Sequence, residues 1–161
     1  MAIVYLILGS NLGDRTVFIE SAKKMLEENT GTILQQSSVY ETEPWGFEHG
    51  NQFLNQVVLF ETELGPVNLL KKIKRIETDL GRVRGKERYS ARFIDIDILF
   101  YDRLVFSDAE LTIPHPELAN RRFVLEPLAE LGPDFSHPVS GFSVKKLLEL
   151  CLDSGLVKKV L

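Results

Sequence analysis

Two carboxylates separated by a single apolar residue, Asp95-Ile96-Asp97, sit in a stretch where Ile94, Ile96 and Ile98 alternate with them. Successive side chains of an extended strand point to opposite faces, so this spacing puts both aspartates on one face and the three isoleucines on the other. Neighbouring carboxylates repel unless they are exposed, protonated or neutralised by cations. Magnesium suits that role: it takes hard oxygen ligands and keeps coordination positions for water and phosphate oxygens. The competing reading is the polar, solvent-facing side of an antiparallel sheet.

Arg82, Arg84, Arg88 and Arg92 lie in the thirteen residues before Asp95. Guanidinium groups grip phosphate oxygens bidentately and offset charge that develops during transfer. Carboxylates holding metal on one side of a phosphate chain, with arginines on the other, make a phosphoryl- or pyrophosphoryl-transfer site. The alternative is a hydrated basic loop paired with surface acids. The turn at residues 9–14 offers helix N-terminal N–H groups, but no G-x-x-x-x-G-K-[ST] run is present, so phosphate-loop chemistry is absent. His115, between Pro114 and Pro116 and ahead of Arg121 and Arg122, is either a phosphate-side donor or a structural hydrogen-bonding histidine. His49 and His137 read as surface residues, and no histidine–cysteine spacing suggests zinc. Phe53 and Asn55 share a strand face, an aromatic surface beside an amide that both donates and accepts. Phe123 could close the other side of a flat ring, although each phenylalanine alone reads more readily as core, and the sandwich gains force only if they converge in space.

The chain has 161 residues, 44% apolar and 26% charged, which fits one soluble domain over residues 1–161 with an ordinary core. Cys151 is the only cysteine, so no disulfide forms within the chain. The apolar run at residues 2–8 is far too short to span a bilayer and lacks the layout of a secretory signal, which reads as a buried strand in a cytoplasmic protein. Formal net charge is −4, yet residues 71–92 carry nine basic and three acidic residues, a local +6 against −10 elsewhere. A confined positive field in an acidic protein suits a small polyanion better than long nucleic acid, which recruits a broad basic face. No feature specifies an oligomer interface, so a monomer is expected.

These residues need a scaffold. Residues 2–8 read as a central strand, and Asp14 as the N-cap of a helix that ends at Asn29-Thr30-Gly31. Residues 33–40 and 53–60 read as strands joined by a loop at 41–52, and Pro66 starts a second helix that Gly81 ends. Residues 82–92 read as a basic loop and 93–101 as a strand. A short strand at 111–113, a helix at 123–131 and a last helix from Ser143 to near Gly155 follow. The order strand-helix-strand-strand-helix-strand is that of an α+β ferredoxin-like sandwich, an antiparallel sheet covered by helices, with a C-terminal helical extension.

The chain resembles the 6-hydroxymethyl-7,8-dihydropterin pyrophosphokinases of folate biosynthesis. The resemblance rests on Gly9-Ser10-Asn11-Leu12-Gly13, Thr42-Glu43-Pro44, Phe53-Leu54-Asn55, Glu77 and Gly81-Arg82-Val83-Arg84. It continues through residues 88–99, Thr112-Ile113-Pro114-His115-Pro116 and Arg121-Arg122-Phe123-Val124-Leu125. It implies transfer of the β,γ-pyrophosphate of ATP to the pterin hydroxymethyl oxygen, with release of AMP. Asp95 and Asp97 would hold two Mg²⁺ ions, and Arg82 and Arg92 would contact the transferred phosphates. Glu77, Arg84, Arg88, Ile98, Thr112, His115 and Arg121 would lie on the ATP side. The pterin would meet Thr42, Glu43, Pro44, Trp45, Phe53, Asn55 and Phe123. Ser90, Phe53, Lys74 and Glu110 depart from the residues the resemblance leads one to expect, which bears on loop freedom and nucleotide affinity rather than on the acid pair. Another ATP-dependent transferase, or a small RNA-binding module of the same fold, are the alternatives; the latter lacks the K/R-G-F/Y-G/A-F-V-x-F/Y pattern.

Overall fold

Strand β1, Ala2–Ser10, is buried along nearly its whole length in a computed structural model that describes residues 1–42, 52–81 and 93–160. It pairs antiparallel with β4 (Phe53–Thr62) on one side and β5 (Asp95–Tyr101) on the other. A strand in that central position is covered on both faces, which is why its sequence is continuously apolar rather than alternating.

The two faces bury different helices. Val4, Leu6 and Leu8 of β1 pack, with Val58, Phe60, Ile96 and Ile98, against α1 (Arg15–Asn29) and α2 (Pro66–Gly81) through Ile19, Ala22, Leu26, Leu69, Ile73 and Ile76. Tyr5 and Ile7, with Val57, Leu99 and Phe100, pack against α3 (Arg122–Leu131) and α4 (Val144–Leu150). Beyond β4 the sheet continues with β2 (Gly31–Gln36) and β3 (Tyr40–Thr42), all pairings antiparallel. This is the expected ferredoxin-like sandwich, with a third layer added by the C-terminal helices. A separate two-stranded sheet, β6 (Phe106–Ser107) with β7 (Thr112–Ile113), lies beyond β5. Among the described residues no helix is long and apolar enough to cross a membrane.

Helix starts follow their caps. Asp14 accepts the Val17 N–H at 3.2 Å and Ser143 accepts the Lys146 N–H at 3.1 Å, each binding an amide that the first turn leaves without a partner. Gly13, at φ +65°, makes the turn into α1; a Cβ there would also meet the Phe18 ring at 2.9 Å.

Three expectations are corrected. The strand read at 33–40 is two strands, because register passes from Gln36 opposite Val58 to Tyr40 opposite Asn55, one residue more on the outer chain. Ser37 fills the break by donating its N–H to the Val57 carbonyl at 2.9 Å and accepting the Val57 N–H on Oγ at 3.0 Å. Glu41 and Thr42, read as loop, belong to β3. The last helix stops at Leu150 rather than near Gly155, since Cys151 turns extended (φ −67°, ψ 129°). The chain then returns as strand β8 (Val157–Lys159) against β3, so the C-terminal extension is helical only in part.

Candidate active site

Alternation along β5 sends Ile96 and Ile98 into the α1/α2 core and leaves Asp95 and Asp97 on the other face. On that face α3 and α4 cover only part of the sheet. Register sets Asp95 opposite Gly9, and Gly9 opposite Asn55, in one row across three strands; Asp97 stands opposite Ile7 in the next row. A Cβ on Gly9 would come within 2.6 Å of Asn55 Oδ1, so glycine is what lets the amide lie across the strand. Asn55, 4% exposed, donates from Nδ2 to Thr42 Oγ1 at 3.3 Å.

A cavity of about 190 Å³ opens here. Phe53, Phe123, Ile7 and Leu99 supply its apolar walls, and Asn55, Thr42, Asp95 and Asp97 its polar ones. Arg121 also lines it, its guanidinium carbon 5.8 Å from the centre of the Phe123 ring, a cation–π contact. A second cavity, about 510 Å³ and largely polar, lies against α2, with Lys74, Glu77, Ile98, Asp108, Glu110 and Thr112 among its walls. Asp95, Asp97 and His115 line both, so the acid pair stands at the junction of a mostly apolar pocket and a larger polar one.

His115 is placed by an irregularity in β5. Pairing moves from Tyr5 opposite Phe100 to Leu6 opposite Ile98, which leaves Leu99 as an extra residue. A bulged residue falls outside the regular ladder, and the Leu99 carbonyl accepts the His115 N–H at 3.0 Å. His115 Nδ1 accepts the Glu117 N–H at 3.1 Å, which assigns the ring proton to Nε2, 3.9 Å from Asp97 Oδ2. Burial pushes the imidazole below the usual histidine range and Arg121 adds to this, while Asp97 and Glu117 oppose it. At neutral pH His115 is therefore a neutral Nε2–H donor beside the carboxylates. Glu77 Oε2 accepts the Ile96 N–H at 2.7 Å, covering an amide of the edge strand and tying α2 to the acid pair.

The structure thus brings Thr42, Phe53, Asn55, Asp95, Asp97, Arg121 and Phe123 to the first cavity, and Glu77, Ile98 and Thr112 to the second. Ile98 contributes from the core, at 3% exposure. Arg121, which the resemblance implies for ATP, lines the cavity with the phenylalanines instead. Glu43, Pro44, Trp45, His49, Arg82, Arg84, Arg88, Ser90 and Arg92 lie outside the described residues. The feet of both intervening segments are nonetheless drawn together. Arg15 donates to Glu41 Oε2 at 3.0 Å and to the Gln52 carbonyl at 2.7 Å, and a Cβ on Gly81 would lie 3.9 Å from that of Phe93. His137, read as a surface residue, is half-buried and caps a turn, accepting the Val139 and Ser140 N–H groups on Nδ1. Sequence reasoning missed Leu99 and Asp108; the bulge leaves no local signature, but Asp108, two and three residues before the Glu110 and Leu111 N–H groups it accepts, has the spacing of an Asx turn.

The donor set fits magnesium: two carboxylates on one face, both hard oxygen donors, beside the open space of a polar cavity.

Residues 5–133 match the family described as 7,8-dihydro-6-hydroxymethylpterin-pyrophosphokinase (HPPK). The 2-amino-4-hydroxy-6-hydroxymethyldihydropteridine pyrophosphokinase of Aquifex aeolicus is 47% identical over 141 residues, 86% of each chain. That of Porphyromonas gingivalis is 45% identical over 141 residues, covering 86% of this chain and 95% of its own. The solved wild-type HPPK-DHPS of Plasmodium falciparum has the same fold, with TM-score 0.75 at 18% identity over 92% of this chain; the match spans 44% of that longer protein.

Proposed function

The chain belongs to the 7,8-dihydro-6-hydroxymethylpterin-pyrophosphokinase family, and we propose that it moves the β,γ-pyrophosphate of ATP onto the hydroxymethyl oxygen of 6-hydroxymethyl-7,8-dihydropterin, releasing AMP. The observation that carries this reading is the acid pair standing between a pocket walled in part by Phe53 and Phe123 and a larger polar one. One pocket suits a bicyclic acceptor and the other a nucleotide, so the bond to be exchanged falls at Asp95 and Asp97.

In this reading the pterin lies between Phe53 and Phe123, its polar edge read by Asn55 and Thr42. Asn55 is held by its bond to Thr42 and by the absence of a side chain at Gly9, so it meets the ring without reorganising. ATP occupies the second cavity along Glu77, Ile98, Thr112 and His115. Asp95 and Asp97 would hold Mg²⁺, which when bound supplies charge neutralisation for the triphosphate. No protein nucleophile is required: the acceptor hydroxyl attacks the β-phosphorus in line and AMP departs, with the bridging oxygen retaining the electron pair. His115, neutral and donating from Nε2, is suited to a phosphate oxygen. Arg82 and Arg92 take the phosphate contacts that the resemblance implies, with Arg84 and Arg88 in the supporting role that it also implies. Enclosure matters because water competes as nucleophile.

Product analysis tests the proposal. Incubation with ATP, Mg²⁺ and the pterin should yield AMP and pterin diphosphate in equal amounts; ADP as the nucleotide product, or no dependence on the pterin, overturns it. Arg92→Ala should fold normally and lose about a hundredfold or more in turnover.

A further inference from the structure

Helix α3 delivers Arg121 and Phe123 to the aromatic cavity from its first turn, yet it has no cap of its own. Arg121 occupies the N-cap position and makes no side-chain capping bond, because guanidinium has no acceptor. The amide at the first helical position, Arg122, is bound instead by a residue thirty-one positions away: Asp153 Oδ2 accepts it at 3.0 Å. The lock works in both directions. Arg122 Nε donates to the Asp153 carbonyl at 2.8 Å, and Nη2 reaches the Cys151 carbonyl at 3.4 Å. Asp153 is itself fixed by the Gly155 N–H, which donates to Oδ1 at 2.8 Å, and Arg122 Nη1 completes the set at Glu126 Oε2, 3.3 Å away. A carboxylate at that end also meets the positive pole of the helix.

We infer that Asp153 is a positioning residue for pterin binding: from the chain segment between α4 and β8 it caps α3 in trans and thereby sets the two neighbours of Arg122 that line the cavity. This segment lies beyond residue 133, where the family match ends. Arg122 points its side chain to the segment, so Arg121 and Phe123 on either side are left to the cavity, where they stack on each other. The second cavity draws its walls from α2, β5 and residues 108–116, none of which the lock touches. Loss of the cap therefore acts on the pterin and spares the nucleotide.

The inference rests on the reading that the pterin lies against Phe123, and the experiment separates the two. Binding of the pterin, followed by its own fluorescence in the presence of Mg²⁺ and an unreactive ATP analogue, is compared with binding of the analogue alone. Asp153→Ala should weaken the pterin about five- to tenfold, in line with the loss of one helix cap, and leave the analogue within about twofold. Asp153→Asn, which keeps an acceptor, should restore affinity to within about twofold of the parent. Should Asp153→Ala not fold, Asp153→Ser, with a shorter acceptor, should weaken the pterin by between about twofold and fivefold. Parent-like pterin binding by a folded Ala or Ser variant, an equal loss for both ligands, or no rescue by Asn overturns the positioning role. A parent that fails to bind the pterin at all overturns the functional reading, and this inference with it.

Discussion

At Gly9 an added Cβ would meet Asn55 Oδ1 at 2.6 Å and the Leu54 carbonyl at 3.7 Å. The amide is the movable partner, so Gly9→Ala is expected to fold and to rotate Asn55 away from Thr42. Pterin affinity should fall about tenfold, with nucleotide affinity unchanged, as measured by titration of each ligand. Asp95 and Asp97 make the contrasting case. Neither side chain is buried in a core, since both line the cavities, so Asp95→Asn or Asp97→Asn removes a charge without opening a void. Each variant should remain folded while turnover falls at least about a hundredfold; a folded variant with parental turnover contradicts the assignment.

Strand β3 carries Thr42 and is only three residues long, so its place depends on what grips it. The grip comes from α3. Glu130 accepts from Tyr40 Oη at 2.7 Å, from the Ser38 N–H at 3.1 Å and from Ser38 Oγ at 3.0 Å. Burial alone would raise the Glu130 carboxyl, but these donors and the Lys159 charge outweigh it and hold the group below its usual 4.5. The ionised form is therefore favoured in the folded state. Its contribution is present above the unfolded value and is lost as pH falls from about 4.5 through the lower folded value. Glu130→Gln should be less stable than the parent at pH 7 in a denaturant titration, and the two curves should converge under acid. A constant difference down to pH 3 contradicts the linkage. The same helix thus supports the cavity twice, through Phe123 at its start and through Glu130 near its end.

For the molecule as a whole, stability and chemistry reside in different layers. Two apolar cores, one under α1 and α2 and one under α3 and α4, clamp the sheet, while the acid pair occupies the part of the second face that no helix covers. A chelator should therefore abolish turnover and shift the melting temperature by no more than about 2 °C; a large loss of stability would mark the metal as structural. Charge is also segregated, with +6 in residues 71–92 of a chain whose total is −4. Raising ionic strength to about 1 M, where screening acts within about 3 Å, should weaken the nucleotide more than the uncharged pterin.

How legible this was depended on whether a signal was local. Alternation of isoleucine and aspartate determined which face the acid pair takes. Caps at Asp14 and Ser143 determined where two helices start, and the order of elements determined the sandwich. Each of these follows from chain geometry within a few residues. The Leu99 bulge that seats His115, the split of residues 31–42 into two strands, the crossing of Asn55 over Gly9, and the capping of α3 by Asp153 came only from tertiary structure. They are contacts between segments far apart in sequence, whose energy depends on register and packing rather than on the neighbours of any one residue.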